Sequence, residues 1–397
     1  MRRWCAGLAL AVGVATAATG AEAPLAESVK LVGTLQNSRL QFERARRGTV
    51  AFLGGSITEM EGFRPRVSAL LRARFPETAF SFINAGIAST CSNTGAFRLD
   101  QDVLAHGPVD LLVVEFAVND DQDGGFTRTE CIRGLEGIVR HARAANPLTD
   151  IVVAYFVNDA FLKSYQGGEI PLAIAAHAAV AEHYHLSTVN VAQALTTAIG
   201  RGEMTWKRYG GVHPGPDGAD FCAHLFGRLF AQAWDEPLPP GAKAFAEPMP
   251  AIPLDPFSYA HGQLISPEWT RMRREWTWGV PDWKALPGGK RSRFTSIPLL
   301  SATEPGAELT FAFLGTAVGA YVVSGPDAGM VDVRIDGGPP RRIALKTGHS
   351  GALHYPWTVM FGSELSPGEH ELRLRLAEET QGSGHAMRII QFAVNGP

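Results

Sequence analysis

Long apolar runs are scarce in this sequence. One spans about Leu8 to Ala18 and is too short to cross a bilayer with confidence. It follows Met1-Arg2-Arg3 and ends in small residues through Ala23, the layout of a secretory leader, assigned to 1–23 with a cut near Gly20 equally compatible. An excess of one charge is also missing. With 36 basic and 39 acidic residues the net charge is -3, which gives no electrostatic basis for nucleic-acid or anionic-membrane binding. A neutral or modestly charged substrate is the expectation. Cysteine is sparse, and Cys5 precedes the apolar run, so it does not fit a lipid anchor. That leaves Cys91, Cys131 and Cys222, an odd number in a compartment that permits disulfides. Cys91 and Cys131 follow strands at one sheet edge and could pair; the alternative is three small buried thiols. Internal repeats and low-complexity tracts are absent apart from one proline-rich stretch.

What is present is apolar periodicity. Five short runs of branched and aromatic residues, Thr49–Leu53, Ala79–Ile83, Asp110–Phe116, Asp150–Phe156 and Ser187–Val191, predict strands. Between them Val67, Leu70, Leu71 and Phe75 share one helical face, as do Ile132, Leu135, Val139 and Ala142. A last helix is expected from near Asp217 to Trp234. Nearly continuous apolar strands alternating with helices describe a doubly wound α/β domain with a parallel five-stranded sheet, covered on both faces. From Asp235 to Pro256 prolines recur, and the composition suits a semi-rigid connector. Beyond it Val331, Val333 and Ile335, then Leu372, Leu374 and Leu376, alternate with polar neighbours, as in an antiparallel β-sandwich. The expected organisation is a leader over 1–23, a catalytic domain over 24–240, a linker over 241–256 and an all-β sandwich over 257–397.

In a parallel α/β sheet, ligands bind beyond the carboxyl ends of the strands. Gly54-Gly55-Ser56-Ile57-Thr58 follows the first strand, Asn84-Ala85-Gly86 the second, and Ala117-Val118-Asn119-Asp120 the third. After the fifth stands Gly210-Gly211-Val212-His213-Pro214. Acyl transfer needs a nucleophile, a base and donors for the developing oxyanion. Ser56 can be the nucleophile and His213 the base, with the N–H groups of Ser56 and Gly86 and the Asn119 amide as oxyanion donors. Each motif alone is weak: a glycine turn can cradle phosphate or merely turn, and Asn119-Asp120 can merely cap a helix.

In their order these blocks resemble the SGNH (GDSL-like) hydrolase superfamily over about Thr49 to Trp234. Ser56 matches its nucleophile, Gly86 its oxyanion glycine, Asn119 its oxyanion asparagine and His213 its base. Gly-Gly-Ser-Ile-Thr resembles a subgroup often found in exported bacterial esterases acting on carbohydrate. The resemblance implies a flavodoxin-like three-layer fold, hydrolysis of small acyl esters, and no metal or other cofactor. Three positions depart from the pattern. Gly55 replaces an aspartate, Ala117 replaces a glycine, and Gly210 stands where the family usually has an aspartate three residues before the histidine. That aspartate would orient the imidazole. Either the protein works as a Ser–His dyad, or Asp217, Glu203 or Glu59 reaches the ring through folding.

Glu115, inside an apolar strand, reads as a paired structural carboxylate. His183 and His185 cannot share a helical face, which argues against a metal site there. Trp269, Trp276, Trp278 and Trp283 either stack on sugar rings or pack at a domain interface. The expected activity is carbohydrate O-deacetylation in the periplasm or outside the cell, through an acyl-enzyme. Lipase or thioesterase activity is the second enzyme reading, and a catalytically silent glycan-binding protein is the reading from another class.

Overall fold

A computed structural model of the chain describes residues 28–396; the leader assigned to 1–23 lies outside the described residues. The first sheet has six strands in the order β1-β6-β5-β4-β2-β3. These are β1 (Val29–Lys30), β2 (Arg47–Gly54), β3 (Ala79–Gly86), β4 (Leu111–Glu115), β5 (Asp150–Tyr155) and β6 (Ser187–Asn190). β2 to β6 are parallel, and the central β4 and β5, whose runs are the most continuously apolar, are buried along their whole length. The expected five-stranded sheet is corrected at one edge. β1 adds antiparallel to β6, pairing Val29 with Val189. Two residues carry no periodicity, so such a strand has no signature of its own.

The helices fall where apolar spacing puts them, including Phe63–Arg74, Arg128–Ala145 and Pro216–Trp234. Their faces close one core around the sheet, with Val67, Leu71, Leu135, Val139, Leu225 and Leu229 fully buried. Because β2 lies between β3 and β4, successive connections leave it toward opposite sides. Its carboxyl end is the switch point where such sheets bind ligands.

The proline-rich stretch forms no strand or helix, yet it is strapped to the first domain. Asn37 exchanges hydrogen bonds with the backbone of Phe245, and the Arg140 guanidinium donates to the Pro250 carbonyl. The buried Glu136 carboxylate accepts the N–H groups of Leu254 and Asp255 and the Tyr184 hydroxyl. Beyond it two sheets face each other across an apolar core, antiparallel except where the edge strand Gly289–Lys290 pairs parallel with Leu353–Gly362. One has five strands, centred on Met330–Ile335, Gly368–Leu376 and Glu308–Gly315; the other has seven, centred on Ala317–Ser324 and Met387–Asn395. Leu309, Val331, Leu372 and Leu374 meet Val322, Ile389 and Phe392 between them, with Phe311 stacked on Phe392 at 4.1 Å. Residues at alternate positions face inward, which is why period-two patterning was legible.

The sandwich docks onto the first domain with polar and apolar contacts. Thr94 hydrogen-bonds Thr358 at 2.7 Å, and Arg133 pairs with Glu364 of the sandwich and with Asp255 of the connector. Ile87, just past β3, packs with Phe294, Leu299, Tyr321 and Ile390 of the second domain. The four clustered tryptophans divide. Trp269 is 74% exposed and Trp278 39%, whereas Trp276 is buried in the sandwich core and Trp283 lies under Arg388. They form no single platform.

Candidate active site

The β2 end turns at two glycines because three polar side chains crowd against it. A Cβ on Gly54 would collide with Glu115 Oε1 and Thr58 Oγ1, and one on Gly55 with the Asn119 amide. Glu115 Oε1 accepts the Gly55 N–H (2.9 Å), the Thr58 N–H (3.2 Å) and the Thr58 hydroxyl (2.7 Å). It thereby satisfies N–H groups that the short helix Ser56–Glu59 cannot satisfy itself. Burial pushes the Glu115 carboxyl up to about 7, its three donors notwithstanding, and Oε2 has no partner. The expectation of a paired carboxylate is thus corrected: hydrogen-bond donors take the place of a cation.

From this turn Ser56 Oγ meets His213 Nε2 at 2.8 Å, across 157 positions of sequence. His213 sits on an exposed turn after the helix Trp206–Tyr209. Gly210 and Gly211 take left-handed φ values of 109° and 79°, and the Gly215 N–H closes the turn on the Tyr209 carbonyl at 2.8 Å. A Cβ on Gly210 would collide with the Gly215 backbone, so the site of the usual aspartate has no room for a side chain. Nor does a carboxylate arrive from elsewhere. Asp217 pairs with Arg208 at 2.6 Å, and Glu59 accepts the Ala88 N–H at 3.2 Å. Glu203 is exposed, and among the described residues no carboxylate lies within ion-pair reach of His213.

The three expected oxyanion donors converge on the same sheet edge in different states. Ser56, first in its helix, has no intrahelical partner for its N–H. Asn119 is buried; Nδ2 gives one proton to Asp123 at 2.7 Å and keeps the other, while Oδ1 has no partner. The Gly86 N–H, by contrast, donates to Asn84 Oδ1 at 3.0 Å. Gly86 itself is required, since a Cβ there would run into the backbone of Thr58 and Glu59.

Sequence reasoning missed Arg98, fully buried beneath the strand ends. It donates to the Ala85 carbonyl at 2.7 Å and the Gly54 carbonyl at 3.0 Å, joining the strands that carry Gly86 and Ser56. An arginine in an apolar stretch with Asp102 four residues on was the available signal. Cys91 and Cys131 are free, correcting the suggested pairing; the Cys91 thiol donates to the Asn119 carbonyl, and Cys131 lies on the helix Arg128–Ala145. Asp120, Cys131 and His177 form a buried cluster of metal-capable groups. Asp120 already accepts from Ser92 through both oxygens and bonds His177 at 2.9 Å, so it is committed to its own neighbours.

A serine hydroxyl on an imidazole, with uncommitted donors beside it at a sheet switch point, is equipped for acyl transfer. The class of protein is a carboxylic ester hydrolase. Residues 52–221 match the GDSL-like Lipase/Acylhydrolase family, and the chain carries a domain of that family, within the SGNH superfamily. Comparison with curated proteins finds no match. Among solved structures, that of a two-domain esterase (CEX) active on acetylated mannans superposes with a TM-score of 0.75 at 19% identity, covering 93% of this chain and 98% of that one. A structure of a two-domain esterase (CEX) active on acetylated mannans, co-crystallized with mannopentaose, gives 0.74 at 19% identity, over 93% and 97%. Both halves of the chain therefore share their fold with a two-domain esterase.

Proposed function

We propose that the protein is an exported serine esterase that removes short acyl groups, acetyl above all, from carbohydrate. The observation that carries this reading is the 2.8 Å contact between Ser56 Oγ and His213 Nε2 at the sheet switch point. His213 takes the Ser56 proton as the oxygen attacks the acyl carbonyl, then delivers it to the departing sugar hydroxyl. The Ser56 N–H and the free Nδ2 proton of Asn119 receive the oxyanion, and Gly86 joins them once the acyl oxygen draws its N–H from Asn84. Water, deprotonated by the same imidazole, releases the acyl group from Ser56. The base works as a dyad partner, positioned by its turn rather than by a carboxylate.

Two features favour a sugar ester over a lipid. A cleft of about 250 Å³ beside the Ser56 helix is lined by Glu59, Arg291, Ser292 and Arg293 together with Ile87, Ala88 and Phe294, so charged and polar groups make up much of its wall. A more apolar groove lies elsewhere, between the helices Phe63–Arg74 and Pro216–Trp234. The two-domain likeness to an esterase active on acetylated mannans supports the same substrate class. Hydrolysis of p-nitrophenyl acetate by the native protein and by Ser56→Ala and His213→Ala tests it. Each variant is expected to lose at least about a thousandfold in turnover. Native rates in Ser56→Ala, or activity that rises with acyl length, would overturn the reading.

A further inference from the structure

The Asn119 amide can serve an oxyanion only if its nitrogen, not its oxygen, faces the reacting carbonyl. Its orientation is fixed by one partner, Asp123 Oδ2, at 2.7 Å from Nδ2. Turned over, the amide would set Oδ1 against a carboxylate and lose that hydrogen bond. Asp123 ends the helix Ala117–Gln122, where a negative side chain works against the helix dipole, so helix stability does not account for it. Its side chain is only 6% exposed, and the second domain reaches it. From that domain His349 reaches the other carboxylate oxygen, with Nε2 at 3.3 Å from Oδ1. Arg291, also from the sandwich, lends its positive charge, while its guanidinium bonds Ser89.

We propose that Asp123 is a positioning residue for the oxyanion amide of Asn119, and that the β-sandwich holds it in place through His349. The inference rests on the esterase reading above. It makes the second domain part of the reaction apparatus: a chain of contacts runs from His349 of the sandwich through Asp123 to Asn119, both on the helix after β4.

A cycle of substitutions in the full-length protein, with p-nitrophenyl acetate as substrate, tests it. Asp123→Ala is expected to lower kcat about ten- to hundredfold with KM within about twofold, the signature of a donor felt in the transition state. Asp123→Asn, whose oxygen can still accept the Nδ2 proton, recovers part of that loss. In an Asn119→Ala background, Asp123→Ala costs less than about twofold, because its only route to the reaction is gone. His349→Ala lowers kcat about two- to fivefold, and this loss also vanishes without Asn119. Multiplied losses in the double variant, or a change confined to KM, would overturn the positioning role. Ser56→Ala run alongside separates the cases: if it is inert while the losses multiply, this inference alone fails, and if it is fully active the esterase reading fails first.

Discussion

Ser56 and His213 touch, yet the turns that carry them are built in different ways. The Ser56 turn rests on fully buried side chains: Glu115 ties its N–H groups, Asn119 fills the space a second Cβ would need, and Arg98 clamps the strand ends below. His213 is exposed, and its turn is shaped mainly by backbone, with two left-handed glycines and the N–H groups of Gly210, Gly211 and Gly215 bonded back to the Trp206 and Tyr209 carbonyls, while Val212 packs against the core. The difference shows that an imidazole can be aimed at a hydroxyl by a turn with no carboxylate behind it, and that such a turn leaves no room for a side chain at Gly210. Ser56 is held by tertiary packing and His213 mainly by local conformation.

Substitutions on each side test that contrast. The largest effect is expected from Gly210→Asp, which restores the family's usual carboxylate in sequence but forces a side chain into a left-handed position already closed by Gly215. Stability should fall by about 2–6 kcal/mol in urea unfolding, with turnover lower, not higher. A gain in turnover would mean that the turn adapts and that a triad can be rebuilt.

Next comes Glu115→Gln, read through pH. Between the usual 4.5 and about 7 the folded protein keeps a proton on Glu115 that the unfolded chain has released. Native stability therefore declines as pH rises through that window and levels off above it, whereas glutamine cannot titrate. Relative to Glu115→Gln, the native protein should lose up to about 3 kcal/mol between pH of about 4.5 and about 8. Parallel pH profiles would show that the buried carboxyl under the nucleophile is not raised.

The smallest effect is expected on the base side, from Asp217→Ala. Its pair with Arg208 is exposed, so stability should change by less than about 1 kcal/mol and turnover by less than about twofold. A hundredfold loss would reveal a carboxylate that reaches His213 during turnover and would erase the contrast.

Much of the fold was legible. Each of the five predicted strands overlaps one of β2 to β6, and the sandwich strands at Val331 and Leu372 show the alternation that announced them. Ser56 and His213 could be proposed from strand-end glycine motifs. The two-residue β1 was illegible for want of length, and the role of Arg98 because the carbonyls it joins, on Ala85 and Gly54, lie 13 and 44 positions away. Glu115 was visible as an oddity in an apolar strand, but its partners at Gly55 and Thr58 lie 60 and 57 positions away. Asp123 gave no signal at all, since its meaning depends on an amide one helical turn back and an imidazole from another domain.

The sequence by itself determined the alternation of strands and helices, the change to period-two strands after the prolines, and the placing of small and polar residues at strand ends. These follow from side-chain periodicity and backbone preference, which act over a few neighbours. Only the tertiary structure decided that the imidazole meets the hydroxyl without a carboxylate behind it, that Gly86 first serves Asn84, and that the sandwich reaches Asp123. Such contacts join groups far apart in the chain, and their distances are set by how the whole core packs.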